Sequence, residues 1–305
     1  MEDLPSELMT KILEDCDFVD CVCFRTTSRK NYDVGNYVLA KTPTFDFRHF
    51  HDGGIQRLEE EKRKKKNSGI LNPSKMINFM ETFMTSLRKL VLTDLPCVFT
   101  MADMIKLGKS SPLVQKLVII QSQNERQWIG EEALLGLTYF ESLENLKIVG
   151  WEPSKISKRG CAARDEVIPA ETLRKLTNLT IICKQETVSK VLQHILDNEV
   201  FMTKCVKAKF NVRFSSPDIP HLIMKFIEFH PNIQKIAFNG FLFTTQEQVQ
   251  SFYDHLLALP QLERVHMENC SVVERIEQAL QRTFLEALRR RGIEFNNLVK
   301  SLRYG

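Results

Sequence analysis

His49 and His51 alternate along "FRHFH", so an extended strand would turn both imidazoles to one face. Such a pair could begin a metal site, yet no third ligand stands at a spacing that completes one. Cysteine offers no better start. Cys21 and Cys23 are one residue apart, and a helix cannot present both to one tetrahedral zinc. None of the 8 cysteines (Cys16, Cys21, Cys23, Cys97, Cys161, Cys183, Cys205 and Cys270) forms a Cys-x-x-Cys pair. The 12 glycines are scattered, so no glycine-rich loop cradles a phosphate. His221, His230, His255 and His266 fall at the ends of expected helices and strands, where surface or capping roles are expected. No Ser, Cys or carboxylate pair has the neighbours a nucleophile or an acid–base dyad needs. The chain is therefore not expected to be an enzyme, and no cofactor or metal is expected.

Composition is that of a globular protein with a real core. Across 305 residues, 43% are hydrophobic and 26% charged, a length that suits one large domain or two smaller ones. Basic residues number 42 and acidic residues 38, a net charge of +4. That balance argues against nucleic-acid or membrane partners. No apolar run is long enough to span a bilayer, and no signal peptide opens the chain. Reduced thiols in the cytoplasm and/or nucleus are the expectation.

The elements begin with "LPSELMTKIL". Pro5 suits a helix start, where its missing N–H would be unpaired anyway, and Glu7 sits near the positive end of the helix dipole. Leu8 and Ile12 are i, i+4 neighbours, with Met9 and Leu13 widening one apolar stripe. Asp20 is placed to cap a second helix through "CVCFRTTSRK", and a third short piece, "VGNYVLA", precedes Pro43. About 40 residues of small helices hold together poorly alone.

Leu4, Pro5, Leu8, Ile12, Leu13, Asp20, Arg25, Ser28 and Arg29 together resemble the F-box, over residues 3 to about 41. Cys21 and Cys23 stand where that family more often carries Leu or Val, although buried Cys packs as a small hydrophobe. The resemblance implies that Leu4, Pro5, Leu8, Ile12 and Leu13 contact a Skp-type adaptor and, through it, a cullin scaffold.

Past residue 80 an apolar-x-x-apolar-x-apolar pattern recurs. It places Leu87, Leu90 and Leu92, then Val114, Leu117 and Ile119, then Leu143, Leu146 and Ile148. Leu176, Leu179 and Ile181 follow, then Ile233, Ile236 and Phe238, then Leu262, Val265 and Met267. The hits start 27, 29, 33, 57 and 29 residues apart, and the long gap is two units, filled imperfectly by Phe210 and Val212. A period of 26 to 33 residues fits leucine-rich repeats, each a short strand and a helix. The intervals read as helices. Thr245 and Gln248 form one capping box, Ser271 and Glu274 a second, and Gly292 ends the last helix. The expected fold is α/β (α+β by some schemes), a small all-α N-terminal F-box followed by a degenerate leucine-rich-repeat-like strand–helix solenoid. The asparagine ladder of standard repeats is largely missing.

The stretch from about 115 to 270 resembles the FTH-type domain that follows the F-box in a nematode-expanded family, carried by "SLENLKIVGW", "FIEFHPNIQKIAFNGF" and "LPQLERVHMENC". Between the two parts, "TFDFRHF" is expected to form a strand that seals the first repeat edge. The run Lys62 to Lys66, beside Glu59, Glu60 and Glu61, reads as a solvated helix rather than a nuclear localisation signal. A polar insertion after Trp151 lengthens one repeat, and Trp151 is expected to pack. The expected domains are 1–42, the F-box; 43–80, a connecting strand and charged linker; and 81–305, a repeat domain that binds a protein target. These parts describe a substrate-recognition subunit of a cullin-based ubiquitin ligase, acting by proximity. The alternative is a non-catalytic scaffold whose F-box is vestigial or binds only the adaptor.

Overall fold

A computed structural model describes residues 4–16, 18–47, 73–95, 97–122, 127–152, 167–213, 218–273, 276–296 and 300–301. The His49 and His51 pair, the lysine run from Lys62 and most of the insertion after Trp151 lie outside the described residues. The chain divides into two compact units, Met1–Leu143 and Glu144–Gly305.

The first unit opens with three helices, α1 (Ser6–Glu14), α2 (Phe18–Arg25) and α3 (Arg29–Lys41). Pro5 stands at the N-cap of α1, and its carbonyl accepts from the amides of Leu8 and Met9, both at 3.1 Å. Asp20 does not cap α2. The helix starts at Phe18, so Asp20 lies inside the first turn and favours the dipole instead. Ser28 caps α3 by accepting from the Asn31 amide. Met9, Leu13, Cys21, Val34, Val38 and Leu39 form the core of the three helices. A fourth helix, α4 (Pro73–Phe83), supplies what they lack: Phe79 and Phe83 pack against that core.

Three strands follow the same unit, β1 (Thr44–Asp46), β2 (Lys89–Thr93) and β3 (Lys116–Ile120), paired in parallel in that order. β1 is the expected edge-sealing strand, with Phe45 and Phe47 buried. Between β2 and β3 runs α5 (Met101–Ser110), capped by a reciprocal pair, Thr100 and Asp103. A 3-10 helix, Glu131–Tyr139, follows β3.

The second unit repeats the plan more regularly. Its strands are β4 (Asn145–Val149), β5 (Asn178–Lys184), β6 (Lys207–Arg213), β7 (Lys235–Asn239), β9 (Arg264–Glu268) and β11 (Glu294–Asn296), all parallel and adjacent in that order. The connections are α6 (Ala170–Lys175), α7 (Gln185–Asp197), α8 (Asp218–Phe229), α9 (Gln246–Ala258) and α10 (Gln278–Arg290). Parallel strands need such crossovers, and one helix after each strand is the strand–helix solenoid plan. Every apolar position of the repeat pattern named above is buried, from Leu87 to Met267.

Three short strands, β8 (Leu242–Phe243), β10 (Ser271–Val272) and β12 (Lys300–Ser301), form a second parallel sheet that the sequence pattern did not anticipate. It corrects the expected helix start at Ser271. The Ser271 amide donates to the Phe241 carbonyl at 2.9 Å, which holds this segment extended, and α10 begins only at Gln278. Gly292 ends α10 at φ +68° as expected. Thr245 caps α9 through the Gln248 amide, but the Gln248 side chain returns to the amide of Thr244, one residue before the cap.

Candidate functional site

Successive residues of an α-helix point about 100° apart, so Leu8 and Ile12 form one stripe and Met9 and Leu13 the adjacent one. The structure separates these stripes by burial. Met9 and Leu13 are 2% and 4% exposed, inside the three-helix core. Leu8 and Ile12 are 47% and 50% exposed. Pro5 is exposed, and Leu4 is half-buried against the same core. The Lys30 ammonium holds the start of α1 by donating to the Leu4 carbonyl at 2.7 Å. The five residues singled out from the sequence thus lie on two sides of one helix.

Leaving Leu8 and Ile12 in water forgoes about 1 kcal/mol each, roughly half the value of fully burying such a side chain. Leu8 and Ile12 thus lie on the solvent side of a helix whose other side is packed into the three-helix core. Tyr32 and Tyr37, on α3, are also exposed.

Cys21 is buried in the core and its thiol donates to the Leu13 carbonyl at 3.3 Å, whereas Cys23 is exposed. The two thiols face different surroundings, as their spacing requires. A cleft of about 590 Å³ opens beside Leu13, Cys21, Val38 and Phe45, rimmed by Glu14 and Asp15. No group of three or more His, Cys, Asp or Glu able to hold a metal occurs among the described residues.

Three histidines, His230, His255 and His266, have partners within the chain. His255 Nε2 lies 2.8 Å from a Glu228 carboxylate oxygen, and His266 Nε2 lies 3.6 Å from one of Glu268. His230 departs from the surface placement: it is buried, with Nδ1 2.6 Å from the Phe226 carbonyl and Nε2 3.2 Å from that of Val200. Burial holds its pKa below the usual value, against the pull of those two carbonyls. Trp151 is fully buried, as a packing anchor.

Residues 1–42 match the F-box domain family. The exposed stripe of α1 therefore belongs to the F-box. No curated protein matches the chain in sequence. Among solved structures, a Bacteroides fragilis protein is similar at 13% identity and a TM-score of 0.40, over 79% of this chain and 71% of its own. The leucine-rich repeat-containing protein LegL7 from Legionella pneumophila is similar at 10% identity and a TM-score of 0.37, over 77% of this chain and 88% of its own. Among the described residues, no helix is long and apolar enough to cross a membrane.

Proposed function

We propose that this chain is the substrate-recognition subunit of an SCF-type ubiquitin ligase. Residues 1–42 bind a Skp-type adaptor and through it a cullin scaffold, 43–80 connect, and 81–305 bind a protein target. The supporting observation is the split of α1: Leu8 and Ile12 stay half exposed while Met9 and Leu13 seal the F-box core. Of the five sequence-derived residues, Pro5, Leu8 and Ile12 make the direct adaptor contacts, and Leu4 and Leu13 hold the helix beneath them. The chain contributes no bond chemistry; it raises the local concentration of target lysines near the ubiquitin-loaded enzyme. The cytoplasm and/or nucleus is its place of action. The segment from about 115 to 270 is read as an FTH-type domain, on its three quoted Leu-rich segments and its position behind the F-box.

The test is co-purification with a Skp-type adaptor. Leu8→Asp and Ile12→Asp each place a charge in the exposed stripe and are expected to abolish adaptor binding with the chain still folded. Binding by these variants equal to that of the unaltered chain overturns the reading.

A further inference from the structure

We propose that the open face of the sheet in the second unit, centred on Lys207 and Lys209 of β6, docks an Asp- or Glu-rich segment of a protein partner. This deepens the target-binding role proposed above and rests on it.

In β4, β5, β7 and β9 the core residues alternate with side chains on the opposite face, which no helix among the described residues covers. The parallel register aligns those side chains in rows. The first row runs Asn145, Asn178, Lys207, Lys235, Arg264, Glu294. The second runs Lys147, Thr180, Lys209, Ala237, His266, Asn296. Neighbouring strands lie about 4.8 Å apart, so Lys207, Lys235 and Arg264 stand side by side with like charge.

The flanks of this cationic row are neutralised within the chain. Lys235 Nζ lies 3.5 Å from a Glu263 oxygen, and Arg264 Nε donates to Glu294 at 2.7 Å. The centre is not: among the described residues neither Lys207 nor Lys209 has an ion-pair partner. Around them stand Asn178, Thr180, Asn211 and Ala237, small or polar groups that leave the ammonium groups uncovered and offer further donors. Two uncompensated ammonium groups, two residues apart on one rigid strand, complement a pair of carboxylates on an extended segment.

Acidic protein fits this face better than nucleic acid. Neither row contains a Phe, Tyr or Trp on which a base could stack. The net charge of only +4 also falls short of a phosphate-neutralising domain. Both edges of β6 are already paired, so recognition runs through side chains and not by strand addition.

The probe is a fluorescein-labelled Glu-rich octapeptide, titrated with the full chain and followed by anisotropy, beside the same peptide with Gln for Glu. The Glu peptide is expected to bind at least tenfold more tightly than the Gln peptide, and to weaken as salt rises. The double variant K207E/K209E is expected to lose that preference, and K207Q/K209Q to lose most of it, so the outcome does not depend on one variant folding. Equal binding of the two peptides, binding unchanged in both variants, or tighter binding of a single-stranded oligonucleotide of equal charge overturns the proposal. Adaptor co-purification separates the two readings: the β6 variants retain it, and Leu8→Asp loses it while still binding the Glu peptide.

Discussion

The guanidinium of Arg25 lies 3.9 Å from the ring centroid of Phe83, and that contact ties the second F-box helix to α4. Phe79 of α4 and Tyr32 of α3 flank the same cation at 5.4 and 5.1 Å. Its Nε and Nη1 are buried and have no hydrogen-bond partner among the described residues, so the ring faces supply the favourable surroundings for the charge. Gly35 makes room: a Cβ there would sit 2.6 Å from the Arg25 Cβ. Arg25→Ala is expected to destabilise the F-box helices by about 2 kcal/mol, combining the cation–π contact with lost packing. Arg25→Lys recovers little of this, because an ammonium lacks the flat stacking surface. Hydrogen exchange of the α2 and α3 amides measures it; protection unchanged in Arg25→Ala would mean the aromatic cage contributes nothing.

Two left-handed glycines of the second unit should respond very differently to the same change. Gly240, at φ +78°, ends β7 so closely against β6 that an added Cβ would lie 2.1 Å from the Val212 carbonyl oxygen. Gly292, at φ +68°, has nothing within 4 Å of its Cβ position. Gly240→Ala carries both backbone strain and a collision, roughly 3 kcal/mol or more. Gly292→Ala carries the strain alone, about 1 kcal/mol. Urea denaturation of both variants resolves a difference of this size; equal losses would mean that β6 yields at no cost.

The repeat was legible wherever its core residues were large. Leu146, Leu179 and Ile236 announce their strands, and all are buried. The unit in β6 was misframed because its positions are small: register pairs Ala208 with Leu179 and with Ile236, and Phe210 with Ile181 and Phe238. With Cys205 buried before them, "CVKAKF" carries the pattern two residues earlier than Phe210 and Val212 suggest. The turns after the strands carry a second recurring mark. Asp94, Gly150, Gly240 and Asn269 each take positive φ one residue after a strand, a turn signal set by backbone sterics and not by hydrophobicity. The short strands β8 and β10 follow two of those turns, which is why a two-residue strand at Ser271 looked like a helix cap. In the F-box, periodicity identified the apolar residues of α1 but merged two stripes into one. Which stripe faces inward depends on α2, α3 and α4, and no local pattern holds that information.

Buried thiols give the second unit a pH dependence of defined sign. Desolvation pushes the Cys183 thiol up to about 12, although backbone amides of Trp151 and Gly150 oppose it. In the unfolded chain the thiol ionises near its ordinary value of 9.0. Its contribution to stability is therefore complete below pH 9 and is lost as pH climbs toward 12, by about 1.4 kcal/mol per pH unit. Between pH 8 and pH 10, Cys183→Ala is expected to lose about 1 kcal/mol less stability than the unaltered chain. Urea midpoints at the two pH values report this, and parallel losses would contradict burial of the thiol.

The two stripes of α1 differ in burial, and so in what a truncation there costs. Leu13 is buried against Cys21, Val38 and Leu39, so Leu13→Ala opens a cavity and is expected to destabilise the F-box by about 2–4 kcal/mol. Ile12, half exposed one position earlier, should tolerate Ala within about 0.5 kcal/mol. If the exposed stripe docks the adaptor, Ile12→Ala nevertheless weakens that complex several-fold, because the truncated methylenes are those the partner would bury. Leu13→Ala, by contrast, weakens adaptor binding only as far as it unfolds the helix, and cooling or a stabilising osmolyte restores it. Calorimetry of adaptor binding beside thermal melts of each variant distinguishes the two. A melt shifted by Ile12→Ala as much as by Leu13→Ala would place both residues in one core and remove the docking surface.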